Sequence, residues 1–174
     1  MKLKKFFFKK VISTNDTAIR LIKLGNEKGA ILSEHQSKGR GQRGNKWTSK
    51  KGNLFMTVFF EISKKLSVKK IINLNILIIK NIISKKIRSI LNIKKPNDIF
   101  INKKKVCGIL QEMIFKNDKK FLIIGIGINI INSPNVTKYE TTYLNNYSKK
   151  KINKIKLFNE IKLNYEKSIN YFKN

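Results

Sequence analysis

The segment from residue 99 to residue 131 constrains the fold of this 174-residue chain more than any other segment. It contains three apolar runs, residues 99–101, 106–115 and 121–131, which are separated by short turns rich in Asn, Asp and Lys. Apolar runs divided by such turn residues are typical of β-hairpins. We therefore expect three consecutive strands joined by hairpins, a pattern that argues against alternating βαβ units.

Further strand and helix patterns lie on both sides of this segment. The additional predicted strands are residues 3–12, 29–34 and 54–62. Helical spacing of apolar residues predicts a short helix that is capped near Ser13 and ends near Gly25, and two longer helices over residues 68–91 and 152–172. This order predicts an α+β fold with a mixed, mainly antiparallel sheet and flanking helices.

The chain is strongly basic, with 39 Lys and Arg against 10 Asp and Glu and a net charge of +29. Clustered cations are typical of polyanion binders, so a basic nucleic-acid-binding protein is one interpretation. The lysines, however, occur in every segment, and arginine, which grips phosphate in a bidentate manner, is rare. We favour compositional drift as the origin of the charge and expect no specific DNA binding.

The cysteine content and the hydropathy pattern bear on the cellular compartment. Cys107 is the single cysteine, so the chain forms no internal disulfide, as expected in a reducing compartment. The N-terminal residues lack the features of a signal peptide, and no apolar stretch reaches the roughly 20 residues of a membrane span. We expect a soluble, cytoplasmic protein without membrane association, and the length fits one domain.

A polar, glycine-rich loop over residues 36–53 is the first candidate for a functional segment. It carries a compact set of residues suited to an anionic ligand, namely Gly39, Arg40, Gly41, Arg43 and Gly44. Glycines let backbone N–H groups approach an anion closely, and arginine grips carboxylate or phosphate. Trp47 could cover an adenine by stacking. The alternative is a solvated basic loop without a ligand.

Two further segments carry weaker signals. In residues 94–98, Pro96 favours an extended residue before it and places Asn97 and Asp98 at the start of a strand. Lys105 then precedes an apolar run, and a lysine drawn toward a core needs an anionic partner. The alternative is an edge lysine whose ammonium stays in water. In residues 125–129, two glycines within an apolar strand indicate close approach of a ligand or another strand.

Taken together, these segments resemble the catalytic domain of biotin–protein ligases. Residues 13–15 are similar to the family's biotin-contacting turn, and the 36–47 segment matches its Gly-Arg-Gly-x-x-Gly signature, which folds over biotinyl-adenylate. Residues 94–98 resemble its Lys-Trp-Pro-Asn-Asp signature, and residues 105–110 resemble the segment with its essential lysine. Residues 125–129 match a Gly-x-Gly-x-Asn stretch. All of these segments occur in the family's order.

The resemblance implies the biotin/lipoate ligase catalytic fold, which is related to class II aminoacyl-tRNA synthetases. We expect residues 1–174 to form this single domain, without an N-terminal helix-turn-helix or a C-terminal SH3-like domain. The implied reaction is ATP-dependent ligation of biotin to a lysine of a biotin carboxyl carrier protein, the acetyl-CoA carboxylase subunit, through biotinyl-5′-AMP, with Mg²⁺ neutralising the triphosphate. The family also often forms a homodimer through edge strands. A lipoate–protein ligase of the same fold is the alternative.

The resemblance also implies roles for individual residues. The catalytic candidates are Lys105, Arg40 and Asp98. The biotin-binding candidates are Ser13, Thr14, Asn15, Gln36, Arg40, Gly41, Gln42, Lys105 and Gly108. The ATP- and adenylate-binding candidates are Gly39, Arg40, Arg43, Trp47, Asn97, Lys105 and Asn129. Asp98 is the candidate Mg²⁺ ligand, and it could instead orient or deprotonate the acceptor lysine.

Two positions depart from the family's pattern. Lys95 replaces the usual tryptophan, which predicts looser local packing and weaker nucleotide binding. Gln42 stands where many relatives carry a further arginine, at a position tied in the family to holding the adenylate. We therefore expect Gln42 to affect how well the protein retains the adenylate intermediate.

Overall fold

The computed structural model describes residues 2–173 and contains one seven-stranded sheet with the strand order β1-β2-β3-β7-β6-β5-β4. The strands are β1 (Lys4–Val11), β2 (Lys28–Gln36), β3 (Leu54–Ile62), β4 (Leu91–Lys94), β5 (Asp98–Ile101), β6 (Lys104–Lys116) and β7 (Lys119–Ile128). The α-helices are α1 (Thr14–Lys23), α2 (Val68–Ser84) and α3 (Lys154–Lys173). Only the β1–β2 pair is parallel among the described strands, so the predicted mixed, mainly antiparallel sheet is confirmed.

The sheet is covered by helices on both faces. Successive residues of a strand point to opposite faces, and β3 shows the consequence. Phe59 packs in a smaller cluster with Ala18 and Ile22 of α1. Phe60 lies in the larger cluster with α2 and α3, where its ring meets that of Phe172 at 5.3 Å. Burial on both faces explains why β3 is apolar at every position except Thr57 and Glu61.

The two predicted hairpins form where the sequence places them. Asn102 and Lys103 join β5 to β6, and Asn117 and Asp118 join β6 to β7. All four residues adopt positive φ values between 46° and 63°. Positive φ at both central residues is the geometry of the type I′ turn, which matches the twist of paired strands and which Asn and Asp tolerate better than most residues.

Two predicted boundaries are wrong. Helix α2 ends at Ser84 and not near residue 91, because Leu91 pairs with Ile101 and begins β4. Strand β7 ends at Ile128 and not at residue 131, because the chain turns there and the buried Asn53 side chain accepts hydrogen bonds from the N–H groups of residues 130 and 131. Both errors arise from partners that are distant in sequence. None of the helices in residues 2–173 has the length and apolar character needed to cross a membrane.

Candidate active site

A cavity of about 410 Å³ brings the signature segments together beside β5, β6 and β7. It is lined by residues of the 13–15 turn, the glycine-rich loop, the 94–98 segment and the two glycine-bearing strands. Every predicted site residue lines this cavity except Gly39 and Asn129. Residues up to 126 positions apart in the sequence, Ser13 and Tyr139, therefore line one cavity.

The turn at residues 13–15 is held in place by contacts within the protein. The Ser13 hydroxyl caps α1 by accepting a long hydrogen bond of 3.5 Å from the Asp16 N–H. The backbone N–H and the hydroxyl of Thr14 both donate to Gln36 Oε1, at 2.9 and 3.0 Å. Gln36 Nε2 donates in turn to Ser49 Oγ at 3.2 Å. The same turn therefore caps helix α1 and lines the cavity.

Asn15 is fixed on both ends of its amide. Its Oδ1 accepts from the Thr57 hydroxyl at 2.7 Å, and its Nδ2 donates to Glu112 Oε2 at 2.7 Å. The amide lies directly against Gly125, where an added Cβ would collide with Asn15 Oδ1. The close approach that the strand glycine predicts is therefore made by a side chain of the same protein.

The Trp47 indole lies on a shelf formed by Gly108 of β6 and Gly127 of β7, which are paired across the sheet. A Cβ at either glycine would collide with the ring. Gly39 lies outside the cavity and supports this placement, since its carbonyl accepts from the Trp47 N–H at 2.8 Å. The indole Nε1 is buried and has no hydrogen-bond partner within residues 2–173.

Lys105 is the most buried lysine of the site, with 11% of its side chain exposed. Its Nζ lies 2.9 Å from Asp98 Oδ2, and it also lies 4.9 Å from the ring centroid of Tyr139 and 5.6 Å from that of Trp47. Carboxylates and aromatic faces both stabilise a buried ammonium. The sequence suggests a bound carboxylate and phosphate as the partner of this lysine, and the structure adds Asp98 as a partner within the protein. The alternative of an edge lysine with its ammonium in water is wrong, because only 11% of the side chain is exposed.

Arg40 lines the cavity, and its guanidinium is engaged by two carboxylates of the protein. It donates to both carboxylate oxygens of Glu112 at 2.8 Å each and pairs with Asp16 at 2.7 Å. The hydrogen bonds to Glu112 raise the pKa of Arg40, against the effect of partial burial. Arg43, by contrast, adopts a φ of 52° in the short 3₁₀ turn Gln42–Gly44 and lines the cavity as an exposed residue.

Asn129 is separated from the main cavity. It is buried, its Nδ2 donates to the Thr142 carbonyl at 3.1 Å, and its Oδ1 accepts from Asn53 Nδ2 at 3.4 Å. It lines an adjoining cavity of about 440 Å³ that also includes Trp47 and Lys105. Asn97 lines the main cavity but donates its Nδ2 to the Ile109 carbonyl at 3.1 Å. Both amides contribute to the architecture around Lys105.

Sequence reasoning missed Glu112 and Tyr139. The available signal for Glu112 was a carboxylate within an apolar strand of a lysine-rich chain, where such a group needs a cationic partner. Tyr139 had no sequence signal. It reaches Lys105 because the neighbouring backbone runs beside that residue, with the Lys105 N–H donating to the Glu140 carbonyl at 2.8 Å.

The donor set for a metal ion is small. Within residues 2–173, no group of three or more His, Cys, Asp or Glu side chains is placed to hold a metal. Asp98 is the one carboxylate among the residues that line the main cavity. This arrangement fits Mg²⁺, which usually binds through one or two carboxylates, water and substrate phosphates, and it does not fit a cation held in a cage of protein ligands.

This fold and this arrangement of the site residues are typical of one class of proteins, the protein ligases. The chain belongs to the biotin/lipoate A/B protein ligase family, whose model matches residues 8–129. It is similar to the bifunctional ligase/repressor BirA of Escherichia coli strain K12, with 33% identity over 104 residues that cover 58% of this chain and 32% of that relative. The chain thus spans about a third of the length of this relative.

Two solved structures share both the fold and recognisable sequence similarity. The biotin protein ligase of Aquifex aeolicus in complex with biotin and ATP is 27% identical, with a TM-score of 0.79 over 98% of this chain and 72% of that chain. The biotin protein ligase of Leishmania major in complex with biotinyl-5-AMP is 27% identical, with a TM-score of 0.76 over 98% of this chain and 81% of that chain. The resemblance to the family and the predicted ligase fold are confirmed.

Proposed function

We propose that residues 1–174 form a biotin–protein ligase catalytic domain that joins biotin to a lysine of a biotin carboxyl carrier protein, at the expense of ATP and through biotinyl-5′-AMP. The observation that carries this proposal is the single cavity in which Lys105, the glycine-rich loop and the 13–15 turn meet. Two similar structures, at 27% identity, are biotin protein ligases with biotin and ATP or biotinyl-5-AMP bound, which favours biotin over lipoate.

The first step brings two anions together. The biotin carboxylate is ionised at neutral pH and attacks the α-phosphate of ATP, and pyrophosphate leaves. Positive charge placed where negative charge develops lowers such a barrier. Lys105 is the buried cation of the cavity, and its pairing with Asp98 places the ammonium before substrate binds. Bound Mg²⁺ would neutralise the triphosphate, with Asp98 as the candidate protein ligand.

The binding roles follow from the position of each segment. Ser13, Thr14 and Gln36 lie at one side of the cavity, where we assign the ureido ring of biotin. Trp47 and Arg43 lie on the loop side, where we assign the adenylate. Gly41, Gln42 and Gly108 also line the cavity, and we assign them to biotin binding.

The second step transfers biotin from the mixed anhydride to the acceptor lysine, which forms an amide and releases AMP. An unperturbed lysine has a pKa near 10.4 and is mostly charged at neutral pH, so the attacking amine must lose a proton. Asp98 is the candidate to orient or deprotonate it. When Lys105 engages the phosphate of the adenylate, its hold on Asp98 weakens and this carboxylate becomes available to the incoming amine.

The acceptor is the carrier subunit of acetyl-CoA carboxylase in this proposal, and the ligase acts in the cytoplasm, either alone or as a homodimer. A carrier with acidic flanks would be steered toward a surface with a net charge of +29, and more strongly at low salt.

The deciding experiment measures transfer of labelled biotin to a carrier domain, with pyrophosphate release followed in parallel. We expect transfer that requires both ATP and biotin. A shift of the melting temperature by lipoate and not by biotin would instead support the lipoate ligase alternative. Tight RNA binding at physiological salt without any transfer would support the nucleic-acid-binding alternative.

A further inference from the structure

Glu112 of β6 joins two segments that are far apart in the chain. One carboxylate oxygen accepts from Arg40 Nη1 at 2.8 Å. The other accepts from Arg40 Nη2 at 2.8 Å and from Asn15 Nδ2 at 2.7 Å. Arg40 belongs to the glycine-rich loop and Asn15 to the 13–15 turn, so a single side chain holds both of these segments.

These contacts differ from an ordinary surface ion pair. An exposed pair contributes about 0–1 kcal/mol at most, because both side chains are solvated and mobile. Glu112 has 25% of its side chain exposed and receives a bidentate pair plus an amide donor. Bidentate, charge-assisted hydrogen bonds fix orientation as well as distance. The further pair of Arg40 with Asp16 ties the loop to α1 in addition.

We propose that Glu112 is a positioning residue that couples the 13–15 turn to the glycine-rich loop. The role assigned to it rests on the proposed function, since those segments are where we assign biotin and the adenylate. In this proposal the main role of Arg40 is to attach the glycine-rich loop to Glu112. If Glu112 couples these segments, binding of biotin changes the affinity for the nucleotide, and binding of the nucleotide changes the affinity for biotin by the same factor.

The test compares Glu112→Gln with Glu61→Gln. Glutamine offers one acceptor atom and cannot receive both the bidentate Arg40 pair and the Asn15 amide. Glu61 is the matched control because it also lies half-buried on a strand, β3, and pairs at 3.7 Å with Lys119, which does not line the cavity. For Glu112→Gln we expect the KM for biotin and the KM for ATP both to rise by about tenfold, with a smaller change in kcat.

A second measurement does not depend on activity. Trypsin cleavage after Arg40, Arg43 and Lys46, in the absence of ligand, should become several-fold faster in Glu112→Gln and stay unchanged in Glu61→Gln. Arg40→Gln breaks the same contact from the exposed side, and the double variant should be no worse than either single variant.

The outcomes separate the two proposals. Loop cleavage and KM values of Glu112→Gln equal to those of Glu61→Gln would overturn the positioning role. Additive effects of the Arg40 and Glu112 substitutions would also overturn it, because independent residues add. If the unmodified protein transfers no biotin but the variant still shows faster loop cleavage, the coupling stands and the proposed function fails.

Discussion

The two sides of the cavity differ in how completely their polar groups are satisfied. On the side of the 13–15 turn, Thr14, Asn15 and Gln36 all have hydrogen-bond partners within the protein. On the side of the loop and β5, Trp47 Nε1 and Asp98 Oδ1 are buried without a partner within residues 2–173. Buried polar atoms of this kind are rare in folded proteins, because each costs about 1–3 kcal/mol.

This difference indicates two ways of preparing a site. The turn side is built in advance, so a ligand there exchanges few protein contacts. The Lys105 side has one buried carboxylate oxygen, Asp98 Oδ1, without a partner within residues 2–173, and we expect a bound ligand or its metal ion to supply one. Glu112 lies where the two sides meet and contacts a residue from each.

The largest expected effect comes from Lys105→Met, which removes the cation of the incomplete side. We expect the rate of biotinyl-adenylate formation to fall by roughly 10²- to 10³-fold, as when a charge-stabilising donor is removed from an active site. Stability should also fall by about 1–3 kcal/mol, because Asp98 loses its partner while it remains largely buried. Pyrophosphate release and thermal unfolding measure the two effects.

The control for this variant is Lys104→Met. Lys104 is the neighbouring residue on β6, but it is exposed and pairs at 2.8 Å with Glu140, which is more exposed still. We expect adenylate formation within twofold of the unmodified protein, since exposed pairs contribute little. Equal losses in both variants would show that the lysine charge on β6 matters and that the burial of Lys105 does not.

Two glycines of β7 can separate the two sides directly. In Gly125→Ala the new methyl group collides with Asn15, and in Gly127→Ala it collides with Trp47. Overpacking costs roughly 1–3 kcal/mol, which corresponds to a factor of about 5 to 150 in a dissociation constant if the whole cost falls on binding. We expect Gly125→Ala to raise mainly the KM for biotin and Gly127→Ala to raise mainly the KM for ATP.

These glycine variants are each other's controls, since they lie two residues apart on one strand and face the same cavity. Steady-state kinetics with each substrate in turn would measure the effects. A rise of the same KM in both variants would mean that the cavity is a single unit and would remove the distinction between its sides.

The smallest expected effect comes from Lys95→Trp, which restores the residue that the family usually carries. Lys95 is exposed at the rim of the cavity, next to Asn97 and Asp98. A tryptophan there should lower the KM for ATP by about threefold through aromatic packing. The KM for biotin should not change. Titration with ATP at saturating biotin checks this, and an equal gain for both substrates would contradict the assignment of this rim to the nucleotide.

Much of the fold was predictable from the sequence because its signals are local. The hairpin turns at Asn102 and Asn117 follow from residues that tolerate positive φ, and the start of α1 follows from Ser13. The helix predicted over residues 68–91 was too long, since a periodic apolar pattern does not show that Leu91 pairs with Ile101. Strand pairing of this kind depends on the path of the whole chain.

The candidate site divides in the same way. The sequence by itself determined the family resemblance and most of the residues that meet in one cavity, because those residues lie in short segments with fixed spacing. Only the tertiary structure decided that Lys105 pairs with Asp98, that Trp47 rests on Gly108 and Gly127, and that Glu112 holds Arg40 and Asn15. The residues of the Glu112 contacts are 72 and 97 positions apart. No local propensity encodes such meetings, since they arise when the register of the sheet brings distant strands and loops side by side.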